Sequence, residues 1–221
     1  MPVGVGSVSA IHESSTTGET LATFVCAHGA GGNMHDRAMQ AVARELRARG
    51  LDVIRFNFLY TEKKAGRPDP MPLLQKVIES VVARTREALG PDELIIGGRS
   101  MGGRAASMLA AEGFGANRLL LLAYPLHPAG KPEQLRDAHL PRIAMPTLCF
   151  NGTRDPLCRR DLMEQVLERV PPSFHMHWLE GADHSFHVLK SSGRTDAEIM
   201  GEVGSTVVRW LTDNPRPSSG V

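Results

Sequence analysis

Apolar residues in this chain fall into two alternating patterns, short unbroken runs and stripes at helical spacing. The runs at 21–27, 94–96 and 119–123 are almost wholly apolar, as expected of strands covered on both faces; 52–56 and 147–151 read as further strands, and 175–179, where His175 and His177 alternate and share a face, as the last. A further edge strand is expected at 5–11. Between them, Met39, Val42, Ala43 and Leu46 share one face of a helix that starts after Asp36 and closes at Gly50. Leu74, Val77, Ile78, Val81 and Val82 mark a long amphipathic helix ending at Gly90. An Ala-rich helix is expected over 104–112. Leu162, Val166, Leu167 and Val170 predict another, and Ile199, Val203, Val207, Trp210 and Leu211 a last one. Segment 57–72, with three Pro and Lys63, Lys64 and Arg67, reads as a solvated loop. Residues 1–4 and 213–221 are expected to fray.

Strands and helices alternating at this spacing predict an α/β fold, a mostly parallel central sheet with helices on both faces. The 221 residues suit a single domain. In such sheets reactive groups gather at the carboxyl ends of the strands, so the loops after the strands are where chemistry is expected.

Composition narrows the partners more than the fold. A formal charge of +1 gives no electrostatic footprint for nucleic acid. No apolar run reaches membrane-spanning length, and residues 1–10 lack the basic start and apolar stretch of a secretory signal. Cys26, Cys149 and Cys158 form no C-x-x-C and suit reduced thiols, which points to the cytoplasm. Oligomeric state stays open, a homodimer included.

The candidate chemistry centres on 94–103, L-I-I-G-G-R-S-M-G-G. Strand, G-x-S-x-G and helix in succession form a nucleophile elbow, which exposes the Ser100 hydroxyl on a tight turn. Gly98 and Gly102 are expected to lack side chains because neighbouring backbone crowds them. Serine needs a base. His184, in the loop after the last strand, is the candidate, with His187 its nearest rival and His175 and His177 read as strand residues. The imidazole needs a carboxylate to fix its tautomer. Asp155 follows strand 147–151 directly, the competing reading being an N-cap for a helix starting near Pro156; Asp183 is the weaker alternative. An oxyanion needs two N–H donors, expected from Met101 at the helix start and Ala30, then Gly31, in H-G-A-G-G at 28–32. His28 is read as a support of that loop. The spacing of His184 and His187 has no accompanying H-E-x-x-H or Cys/His cluster, so no metal site is expected.

Ser100, Asp155 and His184, in that chain order, resemble the α/β-hydrolase superfamily. With G-G-R-S-M-G at 97–102, Y-P-L-H at 124–127, L-R-D at 135–137 and D-H-S at 183–185, the resemblance narrows to the small dienelactone-hydrolase-like branch that contains the testis-expressed α/β-hydrolase-like protein. It spans about residues 21–211. The resemblance implies the fold, the triad and the absence of a cofactor. It implies a serine hydrolase acting on a small-molecule ester, thioester or lactone, or else a hydrolase-like interaction module, since one relative is a subunit of a histone acetyltransferase complex. Between strands 119–123 and 147–151 there is room for a short helix near 133–138 and none for a cap domain. Short acyl esters are therefore expected as substrates. Lys63, Lys64, Arg67 and Arg159 offer a weak reason to expect an anionic one.

Overall fold

The computed structural model describes residues 6–214. Seven strands form one sheet in the order β1-β3-β2-β4-β5-β6-β7. They are β1 (Ala10–Glu13), β2 (Ala22–Ala27), β3 (Leu51–Phe56), β4 (Leu94–Arg99), β5 (Arg118–Leu122), β6 (Thr147–Gly152) and β7 (Phe174–Leu179). Only β1 runs antiparallel, against β3. The remaining neighbours pair in parallel.

Among the described residues six α-helices cover the sheet: α1 (Arg37–Arg47), α2 (Leu59–Glu62), α3 (Met71–Leu89), α4 (Met101–Ala111), α5 (Arg160–Leu167) and α6 (Asp196–Asp213). Strand side chains alternate between two apolar layers. Phe24, Cys26, Val53, Ile95, Leu120 and Phe150 pack with Met39, Val42 and Leu46 of α1 and Ile199, Val203 and Val207 of α6. Val25, Ile54, Ile96, Leu121 and Cys149 pack on the other face with Leu74, Val77 and Ile78 of α3, Ala105 and Leu109 of α4, and Met163 of α5. β2 to β6 are buried on both faces, which is why they are mostly apolar, whereas the edge strand β7 leaves His175 exposed.

The chain steps outward from β2 to β3, then crosses back to β4 and on towards β7. The sheet therefore reverses its direction of winding between β2 and β4. The loops leaving those two neighbours flank the crevice where such sheets hold ligands. They carry the glycine-rich segment 28–32 and Ser100.

Four expectations are corrected. Segment 57–72 is not wholly irregular, since α2 forms where Leu59 and Tyr60 bury their side chains. The Asp69 carboxylate accepts the Tyr60 N–H at 2.9 Å, supplying a partner that the short helix lacks. No helix forms at 133–138, where the chain takes turns before a 3-10 turn at Leu140–Arg142. Pro132 and tertiary bonds explain this: the Arg136 N–H donates to the Leu126 carbonyl, and the Arg136 carbonyl accepts the Tyr124 hydroxyl. The first strand is at Ala10–Glu13 rather than 5–11. Asp213 still belongs to α6; the fraying expected at 1–4 and 215–221 lies outside the described residues. Among the described residues no helix is long and apolar enough to cross a membrane.

Candidate active site

β4 ends at Arg99 and α4 begins at Met101, so Ser100 alone makes the turn. Its φ of 51° and ψ of −117° lie where side-chain-bearing residues are strained, a feature that clusters at functional sites. Crowding explains the flanking glycines. A Cβ on Gly98 would stand 2.2 Å from the Ala27 carbonyl oxygen, and one on Gly102 2.5 Å from that of His28. The elbow is thus wedged against the end of β2.

The loop after β7 brings His184 to this turn. Its Nε2 lies 3.0 Å from the Ser100 Oγ, and its Nδ1 lies 2.8 Å from the Asp155 Oδ2. The Asp155 side chain is fully buried. A buried carboxylate must be hydrogen-bonded. Here the Asn151 Nδ2 donates to Oδ2 at 3.0 Å and the Leu157 N–H donates to Oδ1 at 2.8 Å. The ionised carboxylate can only accept, so the imidazole proton belongs on Nδ1, which leaves the Nε2 lone pair to accept the Ser100 hydroxyl proton. The competing N-cap role for Asp155 has no helix to serve, because α5 starts only at Arg160.

The rival residues are engaged elsewhere. The Asp183 carboxylate accepts the N–H groups of Ser185 and His187, at 2.7 and 3.1 Å, and so shapes the loop under His184. His187 is exposed and paired with Asp196, whose hydrogen bond raises its pKa. His177 pairs with Glu202, and His175 is exposed on β7. His28 is buried beneath the glycine-rich loop. Its Nε2 accepts the Phe58 N–H at 3.2 Å, so its proton resides on Nδ1 and goes to the Gly29 carbonyl at 2.8 Å. Burial lowers the His28 pKa and keeps it neutral. Above it, the Gly29 backbone passes so close that an added Cβ would lie 3.5 Å from the Ser100 Cβ. Ala30 is exposed at the tip of that loop.

A family model described as an alpha/beta hydrolase domain matches residues 20–212, most of the chain. The chain belongs to the α/β-hydrolase family. Solved structures agree on the fold. An alpha-beta serine hydrolase homologue from Coxiella burnetii superposes with a TM-score of 0.76 at 20% identity, covering 96% of this chain and 95% of that one. A serine hydrolase without a lid from Xanthomonas campestris gives 0.72 at 23% identity, over 97% and 93%. A dienelactone hydrolase from Anabaena variabilis gives 0.73 at 20% identity, over 97% and 95%.

Three further residues of this α/β hydrolase, Asn151, Gly152 and Arg99, help to build the site. Asn151, at the end of β6, holds Asp155 with one hand and the β5 exit with the other. Its amide donates to the Tyr124 carbonyl at 3.0 Å and accepts the Tyr124 N–H at 3.1 Å. Gly152 lets the loop carrying Asp155 touch the loop carrying His184, since a Cβ there would lie 2.1 Å from the Ala182 carbonyl oxygen. Arg99 donates from Nη2 to the His184 carbonyl at 2.6 Å. No local pattern marks Asn151 or Gly152, and Arg99 is simply the variable position of G-x-S-x-G. The three buried cysteines are free, and burial raises the Cys26 thiol to about 12, away from any role as a nucleophile. Of the cations expected to attract an anionic substrate, Arg159 is spent on Asp161, while Lys63, Lys64 and Arg67 are exposed.

Proposed function

We propose that this chain is a serine hydrolase that cleaves a small carboxylic ester, thioester or lactone through an acyl-enzyme on Ser100. The observation that carries the reading is the unbroken chain of hydrogen bonds from Ser100 through His184 to Asp155, 3.0 and 2.8 Å long. Family membership supports hydrolysis, and the neighbours described as serine hydrolases and dienelactone hydrolase share the fold.

In this mechanism the His184 Nε2 takes the Ser100 proton as Oγ attacks the substrate carbonyl. Asp155 accepts the Nδ1–H and stabilises the imidazolium. The tetrahedral oxyanion is met by the N–H of Met101, the first residue of α4, where the helix leaves its donors without internal partners. The second donor is the N–H of Ala30. His184 then returns its proton to the leaving alkoxide or thiolate. Water, deprotonated by the same imidazole, attacks the acyl carbon, and Oγ leaves with the proton.

The test is the Ser100→Ala variant assayed with p-nitrophenyl acetate and a fluorophosphonate probe. Loss of both turnover and labelling, with the melting temperature retained, is expected. Labelling or turnover that survives the substitution overturns the assignment.

A further inference from the structure

Arg99 directly precedes Ser100 yet takes no part in the proton relay. Alternation along β4 sets it on the same face as Ile95, above the layer packed by α1 and α6. A guanidinium over an apolar layer requires acceptors. Its side-chain hydrogen bond goes to the His184 carbonyl, at 2.6 Å from Nη2. Among the described residues no carboxylate stands within 4.0 Å ion-pair distance of it. Asp155, Asp36 and Asp183 nevertheless act on it electrostatically from three separate loops, and burial lowers its pKa without removing its charge.

The surroundings explain why such a tether would be needed. A cavity of about 260 Å³ lies beside Arg99, bordered by Val42 of α1, Met200 of α6, and Ser185 and Phe186 just after His184. The loop that carries the imidazole thus has open space on this flank, beside Ser185 and Phe186.

We propose that Arg99 is a positioning residue: its bond to the His184 carbonyl holds the imidazole over Ser100 against retreat towards that cavity. The inference rests on the Ser100–His184 reading. It assigns the residue before the nucleophile a task separate from substrate contact. A loop free to shift by about 1 Å would cost on the order of a hundredfold in rate, because proton transfer tolerates little misplacement.

The experiment compares Arg99→Ala and Arg99→Lys with wild type and with Ser100→Ala. Arg99→Ala should lower kcat for p-nitrophenyl acetate about a hundredfold while KM stays within about threefold, since the lost bond touches the base and not the substrate. Added guanidinium should restore part of kcat, and amide exchange across 181–188 should quicken. Arg99→Lys, which keeps a cation that reaches less well, should fall between. A kcat for Arg99→Ala within about threefold of wild type overturns the inference. So does a loss that guanidinium does not rescue and that comes with a lowered melting temperature; Arg99→Lys then decides alone if Arg99→Ala does not fold, and wild-type kcat in it counts against the tether. Turnover surviving in Ser100→Ala would instead sink the underlying hydrolase reading, whatever Arg99 does.

Discussion

Asp155 is a carboxylate with no contact to water, and its surroundings supply only donors. The imidazole N–H, the Asn151 amide and the Leu157 N–H converge on its two oxygens. Replacing one oxygen by an NH₂ in Asp155→Asn sets a donor against donors, and the imidazole is driven to the other tautomer. On the proposed mechanism the expected loss of turnover is about ten-thousand-fold, the scale of the corresponding change in the serine-protease example. Asp183→Asn should leave turnover within about tenfold, because Asp183 shapes the loop through Oδ1 and does not bond the His184 ring. Steady-state kinetics on the two variants decides between the acids: a larger loss in Asp183→Asn would move the role to that residue.

Most of the elements were legible in the sequence, and the candidates Ser100, Asp155 and His184 each follow a segment that forms a strand, β4, β6 and β7 respectively. What escaped was tertiary in origin. α2 lies among prolines and cations and exists because Phe58, Leu59 and Tyr60 are buried and Asp69 caps it from a distance. The meeting of the β6 and β7 exits was equally invisible, since nothing in N-G-T-R-D announces that Gly152 will touch Ala182. Position 152 therefore gives a test at the level of the two loops. Gly152→Ala places a methyl 2.1 Å from a carbonyl oxygen, so backbone must move, and the movement separates Asp155 from His184. Overpacking of this kind costs about 1–3 kcal/mol, and turnover should fall by at least tenfold alongside it. Thermal unfolding and kinetics measured together check this; a variant with unchanged kcat would show that the contact is not needed for the site.

At the scale of the molecule, no cap domain covers the elbow among the described residues, which on the proposed function makes substrate length a direct probe of shape. β5 and β6 are joined only by turns and a three-residue 3-10 turn, so little apolar surface is raised over the elbow. Each methylene buried is worth about 0.8 kcal/mol, and without such surface a p-nitrophenyl ester series should favour short acyl chains. Rates rising steadily from acetyl to palmitoyl would require a tunnel instead. Stability against pH tests a different property, the histidines held neutral inside the fold. His139 is buried, with its Nε2 2.7 Å from the Ser107 Oγ; that hydroxyl gives its own proton to the Arg104 carbonyl, so His139 donates. Burial first, then the charges of Arg104 and Arg142, lower its pKa to about 4, and burial lowers that of His28 as well. A depressed folded pKa means that only the unfolded chain takes up the proton between the two values. Stability is then fully present above about pH 6.5 and lost progressively as pH falls towards 4, where the loss from His139 levels off. The carboxylates with lowered pKa, the buried Asp52, the partly buried Glu62 and Glu202 and the exposed Asp161, Asp196 and Glu198, weaken the fold only below their unfolded values of 3.8–4.5, so the window above belongs to histidine. His187 opposes the trend, its raised pKa favouring the fold at low pH, but the exposed pair with Asp196 contributes little. Urea midpoints should therefore drop between pH 7 and pH 5 in wild type. In His139→Gln, which keeps an N–H donor for Ser107 and cannot titrate, the slope should be visibly shallower. Equal slopes in the two proteins would mean that His139 takes up its proton in the folded state as readily as in the unfolded one.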